Sequence, residues 1–516
     1  MPSETRIGGD VWGAVGVAVL LSCVAALLED TWVGIGLCLI IVPALLYAAA
    51  RVPLRYSLMV MMFFALVLPN PNEGIPTFDW LPPGYALGRV LLNHLNTFDH
   101  DNALLRMIPV SAMEIAFIIL AIIYFARKAN GSRIDTLGRL ATPEPMLKLT
   151  RWSLLAILFV WLWGLVRGGS FGHSLWQLNA VVYIPICFLL FQAAIRGPQD
   201  HAALAKTLLA AAAYKSLLAT YVMQTVRGDP DPWTKIPAKL PYATAHADSV
   251  LFADACLVMI ALLLERAKIK RWAAFLLPLF MLGMIMNNRR LVWVQLIAVL
   301  ATVFIVSKDN PIKRLIKRAT LVGIPVAALY VAAGWNSGGG RLFKPVRTLR
   351  SVIDAKSDGS SYWRELENFN LIATLRQNPI FGSGFGHPYP EYVPMPPVDY
   401  PLEHYVPHNG ILGLWAFCGV VGWAGLTMLW AGGVYFAMRA YHGAQRGTDR
   451  AAALVCFGAI LVWLMQAWGD LGLGVWTSVF TVAPAFAVAS KLAVATGEWQ
   501  EKRKTAARPA AAGPPS

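Results

Sequence analysis

Apolar runs of about 20 residues recur along the chain with short polar links between them, and a run of that length spans a hydrocarbon core as a helix. The pattern predicts membrane-spanning helices at residues 10–28, 32–50, 54–70, 108–126, 152–166, 176–195, 203–224, 248–264, 272–288, 291–307, 318–334, 409–438, 451–468 and 471–491. Adjoining short runs leave the total at about 12–14 spans. The period-two alternation of a membrane barrel is absent, so the predicted fold class is all-α, a polytopic transmembrane helical bundle. One long polar stretch, 335–408, interrupts the series and is predicted to be a large extramembrane loop containing short helices. The predicted organisation is an N-terminal transmembrane bundle (1–334), the large loop (335–408), C-terminal transmembrane helices (409–497) and a charged, then Ala/Pro-rich disordered tail (498–516).

Composition supports the same class, because 57% apolar and 14% charged residues with a mean hydropathy of +0.53 cannot be arranged as a soluble globule of 516 residues. The net charge of +15 collects in alternate links. Arg51 and Arg55, then Arg127 to Arg151, Arg266 to Arg271, Lys308 to Arg318 and Arg439 to Arg450 fall on one side, which the positive-inside rule makes cytoplasmic together with both termini. The other side receives the links at 71–107 and 225–247 and the 335–407 stretch, whose seven basic and seven acidic residues balance. The positive charge therefore fits anionic lipid headgroups, and no feature supports nucleic-acid binding. The six cysteines lie in or beside the spans, without the spacing of a disulfide framework or a zinc site. Leu20 to Cys23 faintly resembles a lipoprotein cleavage box, but the apolar run continues past it and the segment is taken as an uncleaved span. No internal repeat is visible, which weakens a transporter built on duplicated halves.

Candidate chemistry gathers on the outer side. Arg289 and Arg290 sit at the junction of two spans that faces away from the cytoplasm, where positive charge needs a reason. They are either snorkelling arginines on a short turn or guanidinium groups held to grip phosphate through paired N–H donors. In the long loop Arg341, Lys344, Arg347 and Arg350 are spaced by three and would line one face of a helix, either against lipid phosphates or toward a ligand. Residues 366–375 read as an amphipathic segment with Leu366, Phe369, Asn370, Ile372 and Ala373 on its buried side. The run Phe381 to Gly386 is glycine-rich, which is a weak phosphate signal because glycines equally serve tight turns. Prolines between 388 and 407 alternate with Tyr389, Tyr392, Tyr400 and Tyr405, stiffening aromatic faces that suit sugars or a membrane interface. His408, followed by Asn409 at the start of a span, is an imidazole placed where a general base can accept a hydroxyl proton.

These residues resemble the O-antigen ligase and polymerase family of membrane glycosyltransferases. His408-Asn409, nine residues, then Gly419 and Gly422 match the family pattern His-Asn/Ser/Gln, nine residues, Gly-x-x-Gly. Arg364 followed by Asn378-Pro379 and Gly382, Gly384 and Gly386 resembles the family's arginine, proline and Gly-x-Gly-x-Gly run, and Arg290 to Trp293 resembles the start of an outward-facing span. The resemblance covers residues 280–425, with two departures: the family's Ser-Arg-Gly is Arg289-Arg290-Leu291, and a tryptophan often found four residues after the loop arginine is Asn368. The resemblance implies a bacterial inner-membrane enzyme that needs no cofactor and transfers glycan from an undecaprenyl-pyrophosphate donor to a glycan or lipid acceptor on the periplasmic side. It further implies an inverting displacement and polysaccharide-assembly proteins as partners. The expected catalytic set is His408, Arg290 and Arg364, with Arg289, Arg341, Lys344, Arg347, Arg350, Asn409 and Tyr405 binding substrate. Clustered arginines can neutralise a leaving pyrophosphate, and Asp229-Pro230-Asp231 on the outer side reads as a turn rather than a metal site. The expected activity is polymerisation of lipid-linked repeat units, with a ligase that moves a finished chain onto lipid A-core and a lipid-linked glycan transporter as alternatives.

Overall fold

The computed structural model describes residues 9–28, 31–68, 88, 91–92, 110–225, 244–268, 270–336, 343, 346, 350, 359–397, 402, 404–470 and 472–499. Among them lie α1 (Gly9–Leu28), α2 (Thr31–Arg51), α3 (Leu54–Val67), α4 (Ala112–Ala129), α5 (Glu144–Val166), α6 (Phe171–Ala194), α7 (Pro198–Thr225) and α8 (Asp248–Leu264). The chain continues through α9 (Leu276–Asn287), α10 (Arg290–Val306), α11 (Pro311–Gly334), α12 (Gly359–Gln377), α13 (Gly410–Gly443), α14 (Gly447–Gly469) and α15 (Trp476–Ala495). Among the described residues, the larger part of each apolar run marked out in the sequence lies on a helix, and α12 belongs to the long loop. Seven helices, α5, α6, α7, α11, α13, α14 and α15, are long and apolar enough to cross a membrane, while α1, α3, α9 and α10 are shorter apolar helices. The protein is therefore a polytopic helical bundle, and the described residues contain no β-strand.

The run expected at 272–288 divides into a 3₁₀ turn (Arg271–Phe275) and the 12-residue α9. Pro278 lacks the N–H of an interior helical residue and suits the first turn of a helix, and Asn288 ends α9 in the left-handed region at φ 54°. α15 is the most enclosed helix. Its side chains are buried almost all round, as a helix apolar on every face must be, and it packs against α13, α14 and α6. α11 is the opposite case, with nearly every side chain exposed.

The links rich in Lys and Arg meet at one end of the bundle. Arg127 donates to Ala49 O and Val52 O and pairs with Asp135, which in turn accepts from Leu54 N–H. Lys491 near the end of α15 donates to Leu140 O and Ile195 O, and Glu265 after α8 accepts from Tyr441 at the end of α13. The buried cysteines Cys187, Cys256, Cys418 and Cys456 are free thiols. The opposite end carries α12 and the described residues 379–397 and 404–409.

The buried face of α12 differs from the expected one. Trp363, Glu367, Asn370, Leu371 and Thr374 are buried, whereas Phe369 and Ile372 are exposed. The polar residues turn inward because each has partners: Asn370 accepts from Tyr392 N–H and Val393 N–H at 2.9 Å and donates to Val393 O. Burial of a polar group costs free energy only when its hydrogen bonds are not replaced.

Candidate functional site

His408 is held at the N-terminus of α13. Asn409 caps that helix, its side chain accepting from Leu412 N–H at 3.0 Å, and its amide group donates to Asn368 Oδ1 at 2.9 Å. Asn368, where the family often has tryptophan, thus serves the cap. Glu367 of α12, wholly buried, lies under the same turn. It accepts from His408 N–H at 3.0 Å, Asn409 N–H at 3.2 Å and the Tyr389 hydroxyl at 3.5 Å, and it stands 3.4 Å from His408 Nδ1. Its carboxyl group thus lies against the backbone N–H groups that open α13. The edge of Trp363 completes the setting of the imidazole, with ring centroids 4.8 Å apart.

The glycine-rich run and the Gly-x-x-Gly of α13 form one interlock. α13 kinks at Gly419, whose φ of 58° and ψ of −171° are open almost only to glycine. The kink frees backbone groups that residues 379–384 satisfy: Val420 N–H donates to Pro379 O, Val421 N–H to Ile380 O, and Gly384 N–H to Phe417 O. Gly382 and Gly384, both at positive φ, let this loop lie backbone to backbone against Gly419 and against Gly164 of α5. Arg167 donates to Gly382 O at 3.2 Å. The glycine run is thus a packing device that positions α13.

Arg364, one turn before Glu367 on α12, reaches Asp470 at the end of α14 at 4.0 Å. The second oxygen of Asp470 pairs with His246 Nδ1, from the turn before α8. Gly469, beside Asp470, packs on Leu291, with a Cβ position 3.0 Å from both Leu291 methyl groups. Arg290, the first residue of α10, therefore lies at the same end of the bundle as Arg364 and His408, joined by these contacts. Arg290 is exposed while Arg289 is buried. Asn287, just before them, is fixed to the turn before α8 by Thr244 at 2.9 Å.

The remaining expected residues divide. Tyr405 stacks on His173 of α6 with centroids 3.8 Å apart, and its carbonyl accepts from Gln177 at 2.9 Å. Arg350 is exposed and donates to Trp335 O at 3.2 Å. Arg341, Lys344 and Arg347, and the Asp229-Pro230-Asp231 turn, lie outside the described residues.

Glu367, Asp470 and His246 were not expected. Glu367 carried a weak signal, an acid one turn beyond Arg364 and on its face, but nothing local marks Asp470 or His246. Arg364 is 37% exposed while Asp470 is buried, and at 4.0 Å the two stand at the limit of an ion pair, so the contact is worth about 1 kcal/mol or less. Asp470→Asn is accordingly expected to lower stability by about 1–2 kcal/mol, read as a drop in the thermal unfolding midpoint in detergent.

No curated protein matches the chain. A family model described as O-antigen ligase matches residues 272–427, a segment that runs from the 3₁₀ turn before α9 to beyond the kink of α13 and contains Arg289, Arg290, Arg364, Glu367 and His408. Over that segment, which holds α9 to α12 and the first half of α13, the chain is similar to the O-antigen ligase family of membrane enzymes.

Proposed function

We propose that the protein joins lipid-linked oligosaccharide units, taking glycan from an undecaprenyl-pyrophosphate donor and passing it to a glycan acceptor on the periplasmic face of the bacterial inner membrane. The observation that carries this reading is a chain of contacts at the end of the bundle opposite the basic links: His408 against Glu367 of α12, Arg364 of α12 against Asp470, and Gly469 against Leu291, the residue after Arg290. That sidedness supports a periplasmic site under the positive-inside rule. His408 takes the proton from the acceptor hydroxyl as its oxygen attacks the anomeric carbon. The bond to the pyrophosphate oxygen breaks, and the electron pair leaves with the lipid pyrophosphate. Arg290 and Arg364, with Arg289 beside them, meet the growing charge on that leaving group, a task fixed guanidinium groups perform without a metal ion. The exposed α11 gives the lipid tail an apolar flank in the plane of the membrane.

The polymerase reading is preferred to the ligase because the proline-braced loop, in which Tyr392 is exposed while Tyr389 is buried against Glu367, suits an extended sugar chain. Purified protein in liposomes with a synthetic undecaprenyl-pyrophosphate oligosaccharide is expected to give a ladder of products without added acceptor. A single shift of an added lipid A-core acceptor indicates a ligase. One observation favours a transporter: Asp254, buried within α8, has no hydrogen-bond partner among the described residues. Movement of intact donor across the bilayer with no new glycosidic bond would establish that alternative.

A further inference from the structure

We propose that Glu367 is a positioning residue that fixes which nitrogen of His408 reacts; the inference rests on the transferase reading of the site. Glu367 is fully buried, and its carboxyl oxygens accept from two backbone N–H groups and a tyrosine hydroxyl, with Nδ1 of the His408 ring beside them. An ionised carboxylate only accepts hydrogen bonds, so the nitrogen facing it must carry hydrogen. That nitrogen is Nδ1, at 3.4 Å. Contacts of this length in a site without substrate shorten when the reacting complex forms. Neutral imidazole has one N–H, so Nε2 carries the lone pair and is the atom that takes the acceptor proton.

Glu367 also accepts from the backbone N–H groups of His408 and Asn409, so the ring and the peptide that bears it are anchored to one carboxylate. The imidazole is then held in both tautomer and direction. The capped start of α13 and the edge of Trp363 keep it from turning over. When the proton arrives on Nε2, the resulting imidazolium faces a buried negative charge, which stabilises it during transfer. Glu367 itself neither touches the substrate nor gains a proton.

The test is nitrogen NMR of the full-length protein in lipid nanodiscs with ¹⁵N-histidine, the His408 signals being assigned by their loss in His408→Gln. The expected result at a pH where the ring is neutral is a protonated Nδ1 and an unprotonated Nε2. The opposite tautomer in the wild-type protein overturns the proposal without any variant. Glu367→Gln is expected to give a mixture of tautomers and to lower kcat by about 10-fold or more with donor KM little changed, whereas Glu367→Asp restores part of both. A loss of rate with the wild-type tautomer retained assigns Glu367 a structural role only and rejects the proposal. Because the tautomer is read without turnover, failure of the transferase reading is separable: it shows as a wild-type protein that forms no glycosidic bond.

Discussion

His408→Ala is expected to lower the rate of glycan transfer by about 10²–10⁴-fold, the contribution of a positioned general base. That corresponds to about 3–5 kcal/mol of transition-state stabilisation. Donor affinity is expected to stay within about 2-fold, because the guanidinium groups that meet the pyrophosphate are on other elements. The variant should fold, since the contacts that anchor this turn to Glu367 include the His408 and Asn409 backbone N–H groups, which alanine retains. Single-turnover transfer and equilibrium donor binding, measured on the same preparation, separate the two effects. A variant that turns over within about 3-fold of wild type removes His408 from the chemistry.

Gly419→Ala is expected to destabilise the protein by about 3 kcal/mol and to lower its thermal unfolding midpoint in detergent. Two causes act together. A Cβ at 419 would lie 2.4 Å from both Gly382 N and Ile380 O, and neither is the end of a flexible side chain. The φ of 58° with ψ near 180° also strains any residue with a side chain. Displacing the 379–384 loop would leave the amides of Val420 and Val421 without their acceptors in the kink of α13. Gly323→Ala is the matched control: it lies inside α11 with nothing within 4 Å of its Cβ position, and alanine there should be neutral or stabilising. Equal stability of the two variants contradicts the interlock.

The membrane helices were legible because hydropathy over 20 residues is set by the bilayer, whatever the tertiary contacts. The long loop was legible as an interruption, but the inner face of α12 was not. Periodicity assigns the inside to apolar residues, and α12 buries Glu367 and Asn370 because distant backbone groups satisfy them. The glycine-rich run was ambiguous for a related reason: what Gly382 and Gly384 approach, the kink at Gly419 and the backbone of Gly164, is remote along the chain. His408, Arg364 and Arg290 stood out because each carries charge or titrates at a span boundary or in the loop. Their companions did not. Glu367 and His408 are 41 residues apart and His246 and Asp470 are 224 apart, so their pairing exists only in the folded bundle. Sequence left open which arginine of the pair 289–290 faces a ligand, and exposure now favours Arg290.

The central claim is that guanidinium and imidazole groups at one end of the bundle transfer glycan from a lipid pyrophosphate. It is tested most directly by counting undecaprenyl pyrophosphate released per glycosidic bond formed by the purified protein in liposomes. The account predicts one released for each bond with the wild-type protein, and loss of both together in Arg290→Ala and Arg364→Ala. Bond formation without release of the lipid pyrophosphate, or release that both arginine variants leave unchanged, would contradict it.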